Sequence, residues 1–194
     1  MPDTKIARSL APNDSLGKLG FSALLVLSHS LLGACRSAES LPPSRNPDLD
    51  CQSGHASATD DSGRHVQVPK STARATVLDF WARWCRSCQN KLPKMLARRK
   101  TLEQQGIDLV LVGVVEPWGS VDENRSVLEA WGASSSFLVD WNGALARRFG
   151  IRALPAAVVL DRKGAIRWVS PTGQFHPDTV VAAAELAATS ACGE

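Results

Sequence analysis

The sequence predicts a three-layer α/β domain built on a mixed central sheet. Two observations carry that class. Aliphatic runs such as "IDLVLVGVV" (Ile107 to Val115) are too continuous for a half-solvated strand, and they read as parallel strands covered on both faces. Such runs alternate with helical segments until "AAVVLDRKGAIRWVS" (Ala156 to Ser170), where two strands flank the turn Asp161 to Gly164. Alternation ending in an antiparallel hairpin gives a mixed sheet with helices on its faces.

Taken in order, "SATDDSGRHVQVP" sets the turn signal Asp61-Ser62-Gly63 ahead of alternating Val66 and Val68, a hairpin arm. "ATVLDFWA" (Ala75 to Ala82) reads as a buried strand. A helix is expected from about Cys85 to Gln105, stopped by Gly106 and kinked by Pro93. After the Ile107 strand, Ser120-Val121-Asp122-Glu123 is a capping box that opens a second helix reaching about Trp131. "SFLVD" (Ser136 to Asp140) is a strand, and Asn142-Gly143 leads into a short helix through Phe149. Pro177 opens the closing helix, "DTVVAAAELAA". The predicted order is β-β-β-α-β-α-β-α-β-β-α.

Composition narrows the function classes. The 194 residues are 44% hydrophobic and 21% charged, as in an ordinary soluble domain. A net charge of +3, with no long run of like charges, argues against nucleic acid as a partner. Arg98-Arg99-Lys100 reads as a solvated helix face.

The first 35 residues stand apart. Lys5, Arg8 and Lys18 precede the apolar run Leu19 to Cys35, which is too short to span a bilayer but suits a secretory signal. "LLGAC" (Leu31 to Cys35) resembles the lipobox of bacterial lipoproteins, which implies that Cys35 carries lipid and anchors the protein to a membrane. An ordinary signal peptide cut near Ala34, or an uncleaved anchor, are the alternatives. Each reading exports the domain to the periplasmic side of the cell envelope. Residues 36–57, rich in Ser and Pro, read as a flexible linker, and 58–190 as the folded domain.

The elements and two landmarks resemble the thioredoxin fold, and more closely the membrane-tethered TlpA/ResA type of thiol–disulfide oxidoreductase. "VLDFWARWCRSC" (Val77 to Cys88) is similar to that family's strand running into Phe-Trp-Ala-x-Trp-Cys-x-x-Cys. "GIRALPAAVVLDRKGAI" (Gly150 to Ile166) is similar to its second landmark, a proline before a strand and an Asp-x-x-Gly turn. The resemblance implies exchange of disulfides with envelope proteins, as a reductant fed by a membrane electron donor, in the setting of cytochrome c assembly. It implies no cofactor.

The residues suit that chemistry. Cys85 and Cys88 stand where a strand ends and a helix begins, so Cys85 lies near unpaired N–H groups that favour a thiolate. Cys88, three residues on, is the resolving thiol of a redox disulfide. A metal site needs further ligands, and none stand near enough in sequence. The pair is separated by Arg86-Ser87, where relatives usually carry proline before the second cysteine. Arg83 and Arg86 would add positive charge beside Cys85, favouring the reduced form and a less reducing couple.

Other assignments follow from the resemblance. Asp79 matches an aspartate beneath the pair that exchanges protons with the inner cysteine; a backbone donor or an arginine could instead satisfy it. Pro155 matches a cis-proline facing the pair, with a trans proline at a strand start as the alternative. The backbone of Leu154 would then pair with an incoming peptide. Trp84 would be a partly exposed lid, Trp81 core, and Glu116 an acidic residue near the site. Cys51 and Cys192 flank the domain and read as a structural disulfide, or else as free thiols or a resolving partner for Cys85. Competing functions are a disulfide oxidant or isomerase, and a non-catalytic copper-binding or adaptor module. A peroxidase is disfavoured, since the Pro-x-x-x-Thr-x-x-Cys arrangement is absent.

Overall fold

Continuous apolar runs become strands buried on both faces, and they set the frame for everything else. The computed structural model describes residues 51–172, 175–190 and 192; the expected signal segment 1–35 and linker residues 36–50 lie outside them. Strands β1 (Ala56–Asp60) and β2 (His65–Val68) form a hairpin, followed by β3 (Ala75–Ala82) and helix α1 (Arg86–Gln104). Next come β4 (Ile107–Val115), α2 (Val121–Ala130), β5 (Phe137–Trp141) and α3 (Ala144–Arg148). The chain closes with β6 (Ala156–Asp161), β7 (Ile166–Val169) and α4 (Pro177–Thr189).

The seven strands form one mixed sheet in the order β2-β1-β5-β4-β3-β6-β7. β3, β4 and β5 run parallel, while β6 lies antiparallel to β3 and β1 antiparallel to β5. All eight residues of β3 are buried. Alternation sends Val77 and Trp81 into the cluster shared with α1, and Leu78 and Phe80 to the opposite face, packed with Phe149 after α3. The α2 helix opens with the capping box: Glu123 N–H donates to Ser120 Oγ at 3.2 Å, and Ser120 N–H donates to Glu123 Oε2 at 2.9 Å. Beyond α1, Gly106 takes φ +77°, the left-handed conformation that ends a helix at little cost to glycine.

Backbone pairing with the domain already occurs ahead of Ala58. Ser53 bridges Ala165, Gly54 N–H donates to Gly164 O at 2.7 Å, and Ile166 N–H donates to Gln52 O at 2.9 Å. The segment has no apolar period because its backbone, rather than its side chains, holds it against the β6–β7 turn.

Cys51 and Cys192 form a disulfide across the domain's two ends, with Cα atoms 5.6 Å apart. The buried Asp161 organises the same corner. Its Oδ1 accepts from Lys163 and Ala165 N–H, each at 2.9 Å, and its Oδ2 accepts from Cys192 N–H at 2.8 Å. The bridge spans 141 positions of sequence. Chain entropy for a loop of that length predicts that the double variant Cys51→Ser/Cys192→Ser loses about 4–5 kcal/mol. Urea unfolding of the two proteins checks it, and an unchanged midpoint removes the stabilising role.

Candidate active site

β3 delivers its carboxyl end to the surface through Arg83 and Trp84, and Cys85 then caps α1. Cys85 is extended (φ −80°, ψ 92°), and its Sγ accepts from Cys88 N–H at 3.2 Å. The two cysteines form a disulfide with Cα atoms 5.2 Å apart. The Ser87 hydroxyl stands 3.6 Å from Cys85 Sγ. Once the pair is reduced, a sulfur so placed has a backbone donor, a hydroxyl and a helix N-terminus to stabilise its anion.

The sulfurs differ in access. Both residues are buried, but Cys85 lines an open cleft of about 470 Å3 together with Trp84, Arg86, Ser87, Asn90 and Leu154, and Cys88 does not. A partner entering the cleft therefore meets Cys85 first. Ser87 stands out in sequence only as the residue replacing a proline, and Asn90 does not stand out at all; their positions in the first turns of a helix capped by Cys85 are the signal that places both in the cleft.

Asp79 sits in the middle of β3, flanked in the sheet by Leu111 and Ala157. By alternation it faces the same side as Val77 and Trp81, the side covered by α1 and holding Cys88. Its Oδ2 is buried and without a hydrogen-bond partner. Neither an arginine nor a backbone donor satisfies that oxygen. Burial alone pushes its pKa up to about 8.

The Leu154–Pro155 peptide is cis, and Leu154 lines the cleft together with Trp84. The Val68–Pro69 peptide is cis as well, a feature not expected from the sequence. Trp84 is largely exposed, whereas Trp81 is enclosed and meets Trp131 and Phe137 edge-to-face at 5.8 and 5.4 Å.

Arg83 and Glu116 pair with each other beside Trp84. Arg83 Nε donates to Glu116 Oε2 at 3.2 Å, so the arginine's charge is countered instead of being left beside Cys85. Of the two expected cations only Arg86 lines the cleft, and Glu116 joins the site through Arg83 rather than lining it. Among the described residues no group of three or more His, Cys, Asp or Glu side chains converges as metal ligands would. Nor is any described helix long and apolar enough to cross a membrane.

Residues 47–169 match the profile of the AhpC/TSA family, which covers well over half of the chain. The chain belongs to the AhpC/TSA family. This AhpC/TSA protein is 24% identical over 109 residues to the thiol-disulfide oxidoreductase ResA of Geobacillus thermodenitrificans, covering 56% of this chain and 61% of that one. It is 23% identical over 107 residues to ResA of Halalkalibacterium halodurans, covering 55% and 59%. The matches thus span about three fifths of the length of these curated relatives. Among solved structures, a secreted Mycobacterium tuberculosis disulfide oxidoreductase homologous to E. coli DsbE superposes with a TM-score of 0.51, at 22% identity, over 66% of this chain and 95% of that one. A putative thioredoxin from Neisseria meningitidis gives 0.58 at 19% identity, over 75% and 95%. The fold of this family member is thioredoxin-like, with the mixed sheet that the strand pattern predicts.

Proposed function

We propose that the protein is an exported thiol–disulfide oxidoreductase, held to a membrane by lipid on Cys35, that reduces disulfides of envelope proteins. The observation that carries the reading is the Cys85–Cys88 disulfide at a helix start, with Cys85 lining an open cleft and Cys88 behind it. The ResA relatives, named thiol-disulfide oxidoreductases, support the activity.

In the reduced protein the Cys85 thiolate attacks one sulfur of a partner disulfide and expels the other as a thiolate, which takes up a proton. A mixed disulfide joins the two proteins. Cys88 gives its proton to the Asp79 carboxylate and attacks Cys85 Sγ, releasing the partner's second thiolate, which is protonated in turn. Two electrons have passed to the partner, and a membrane electron donor returns two to Cys85–Cys88. Trp84 and the backbone of Leu154 beside Pro155 hold the partner, and Glu116 contributes by fixing Arg83. No cofactor takes part.

The deciding experiment is the reduction potential of the Cys85–Cys88 couple. The protein is equilibrated against thiol buffers, and each cysteine is read separately by alkylation and mass spectrometry, so that Cys51–Cys192 does not contribute. A value near or below about −250 mV is expected of an electron donor to envelope proteins. The Ser87 hydroxyl, Cys88 N–H and Arg86 around Cys85 favour a second reading, oxidant or isomerase, because they stabilise the reduced form. A value above roughly −180 mV selects that reading. Failure of the pair to cycle rejects both, in favour of a binding or adaptor module.

A further inference from the structure

Four large apolar side chains of the described residues are strongly exposed: Trp84 at 62%, Trp118 at 78%, Trp141 at 51% and Leu186 at 57%. Apolar residues scattered singly over a surface need no explanation, but three of these four share one edge. Trp84 lies two residues past the end of β3, Trp118 three past the end of β4, and Trp141 is the last residue of β5. These strands are adjacent and parallel, with Ala82 paired to Val114 and Val115 to Trp141, so all three indoles stand at the carboxyl edge. Alternation from Phe137 and Val139 sends Trp141 to the side that carries α1 and α2.

Trp118 is held there. Gly119 N–H donates to Glu116 O at 2.9 Å, closing a turn with Pro117 and Trp118 at its tip. The Glu116 side chain ties that turn to Arg83, the residue before Trp84. The fit is close: a Cβ on Gly119 would lie 3.2 Å from Glu116 Oε2 and 3.6 Å from Arg83 Nε. The Arg83–Glu116 pair thus clamps the loops bearing Trp84 and Trp118 together.

We propose that Trp118 and Trp141 extend the Cys85 cleft into an aromatic ridge that grips apolar side chains on one flank of the partner's reactive cysteine. The proposal rests on the thiol-exchange reading. Trp84 belongs to both the ridge and the cleft, so whatever covers the ridge also closes over Cys85. A polypeptide that presents its own disulfide to Cys85 meets that condition productively. A bilayer seated there would shut the cysteine away from protein partners. Two strand spacings separate β3 from β5, about 10 Å, which an extended chain crosses in about three residues. The ridge therefore reads positions about three to five residues from the partner's cysteine, on the flank away from Leu154.

The test uses two peptides with the same intramolecular disulfide, carrying either Phe or Ser at those positions on one flank, made for each flank. The readout is the ratio of their kcat/KM values within a single protein, so that changes in cysteine chemistry cancel. The wild type is expected to prefer the Phe peptide of one flank about tenfold. Trp118→Ala/Trp141→Ala is expected to lose that preference, and Trp118→Phe/Trp141→Phe to keep most of it. No preference in the wild type, or a preference that survives the alanine pair, overturns the proposal. So does tryptophan-dependent binding to phosphatidylglycerol vesicles without peptide preference, which would make the edge a membrane face. A wild type that reduces neither peptide nor glutathione disulfide fails at the thiol-exchange reading itself, and the ridge falls with it.

Discussion

Cys88→Ser is expected to stop turnover and to leave the protein covalently joined to its partners. Cys85 lines the cleft and Cys88 lies buried behind it, so the first attack belongs to Cys85 and the release of product to Cys88. With serine at 88 the first step survives, and the mixed disulfide on Cys85 has no internal thiol to resolve it. Multiple-turnover reduction should fall by at least about a thousandfold. Adducts should appear as high-mass bands on non-reducing gels and vanish with dithiothreitol. Cys85→Ser should lose the same activity but trap nothing, since the remaining cysteine is buried and does not line the cleft. The contrast between the two variants is the informative result. Equal trapping, or none from either while Cys85 in Cys88→Ser remains open to alkylation, would remove the assigned order of attack.

Asp79→Asn has two large consequences, which separate its chemical role from its structural cost. The wild-type carboxyl is shifted from 3.8 to about 8, so at pH 7 most molecules hold it neutral. Its capacity to take the Cys88 proton grows as pH rises through 8. The variant, without that acceptor, is expected to resolve mixed disulfides some tenfold to hundredfold more slowly near pH 7–8. The gap should narrow at higher pH, where hydroxide ionises Cys88 directly. A pH-independent slowing would leave Asp79 without a proton-transfer role.

The stability of the oxidised protein moves the other way. A carboxyl whose folded pKa is raised binds its proton more tightly in the folded state than in the unfolded one. Its contribution is therefore whole below about pH 4 and lost as pH rises through about 8. Replacement by the neutral amide escapes that loss. Asp79→Asn should match the wild type near pH 4 and exceed its stability by on the order of 5 kcal/mol above pH 8. Urea unfolding at pH 4, 6 and 8 reads the divergence directly. A variant that is less stable than wild type at every pH would mean that the buried Oδ2 has a partner in solution.

Much of this architecture was legible because local signals and global fold agree. The β3 run is continuously apolar because both its faces are covered, and Ser120 and Glu123 cap each other in the structure as their spacing predicts. Asp79 interrupts that run, and a carboxylate in a strand covered on both faces has nowhere to go but inward. What sequence could not supply was lateral placement. The order of elements does not say that β6 lies against β3; the resemblance, not the element pattern, is what set Leu154 and Pro155 beside the pair. Arg83 and Glu116 are 33 positions apart, so their pairing depends on β3 and β4 ending side by side. The same ignorance of neighbours hid the tryptophan edge, where residues of three separate segments stand at the ends of adjacent strands. Residues 52–54 look like linker in sequence because backbone pairing with the β6–β7 turn leaves no trace in side-chain pattern.

The Cys51–Cys192 bridge also decides how the molecule bears load. A pull applied before Cys51 and resisted beyond Cys192 passes through one S–S bond, and the chain between them is mechanically bypassed. No strand is sheared and no helix unwinds, whatever force arrives along a tether. Opening that single bond changes the load path: the 141 positions it spanned come into tension and can pay out close to 500 Å of extended chain. In a pulling experiment the oxidised domain should behave as a short inextensible link, and the reduced one as a long spool.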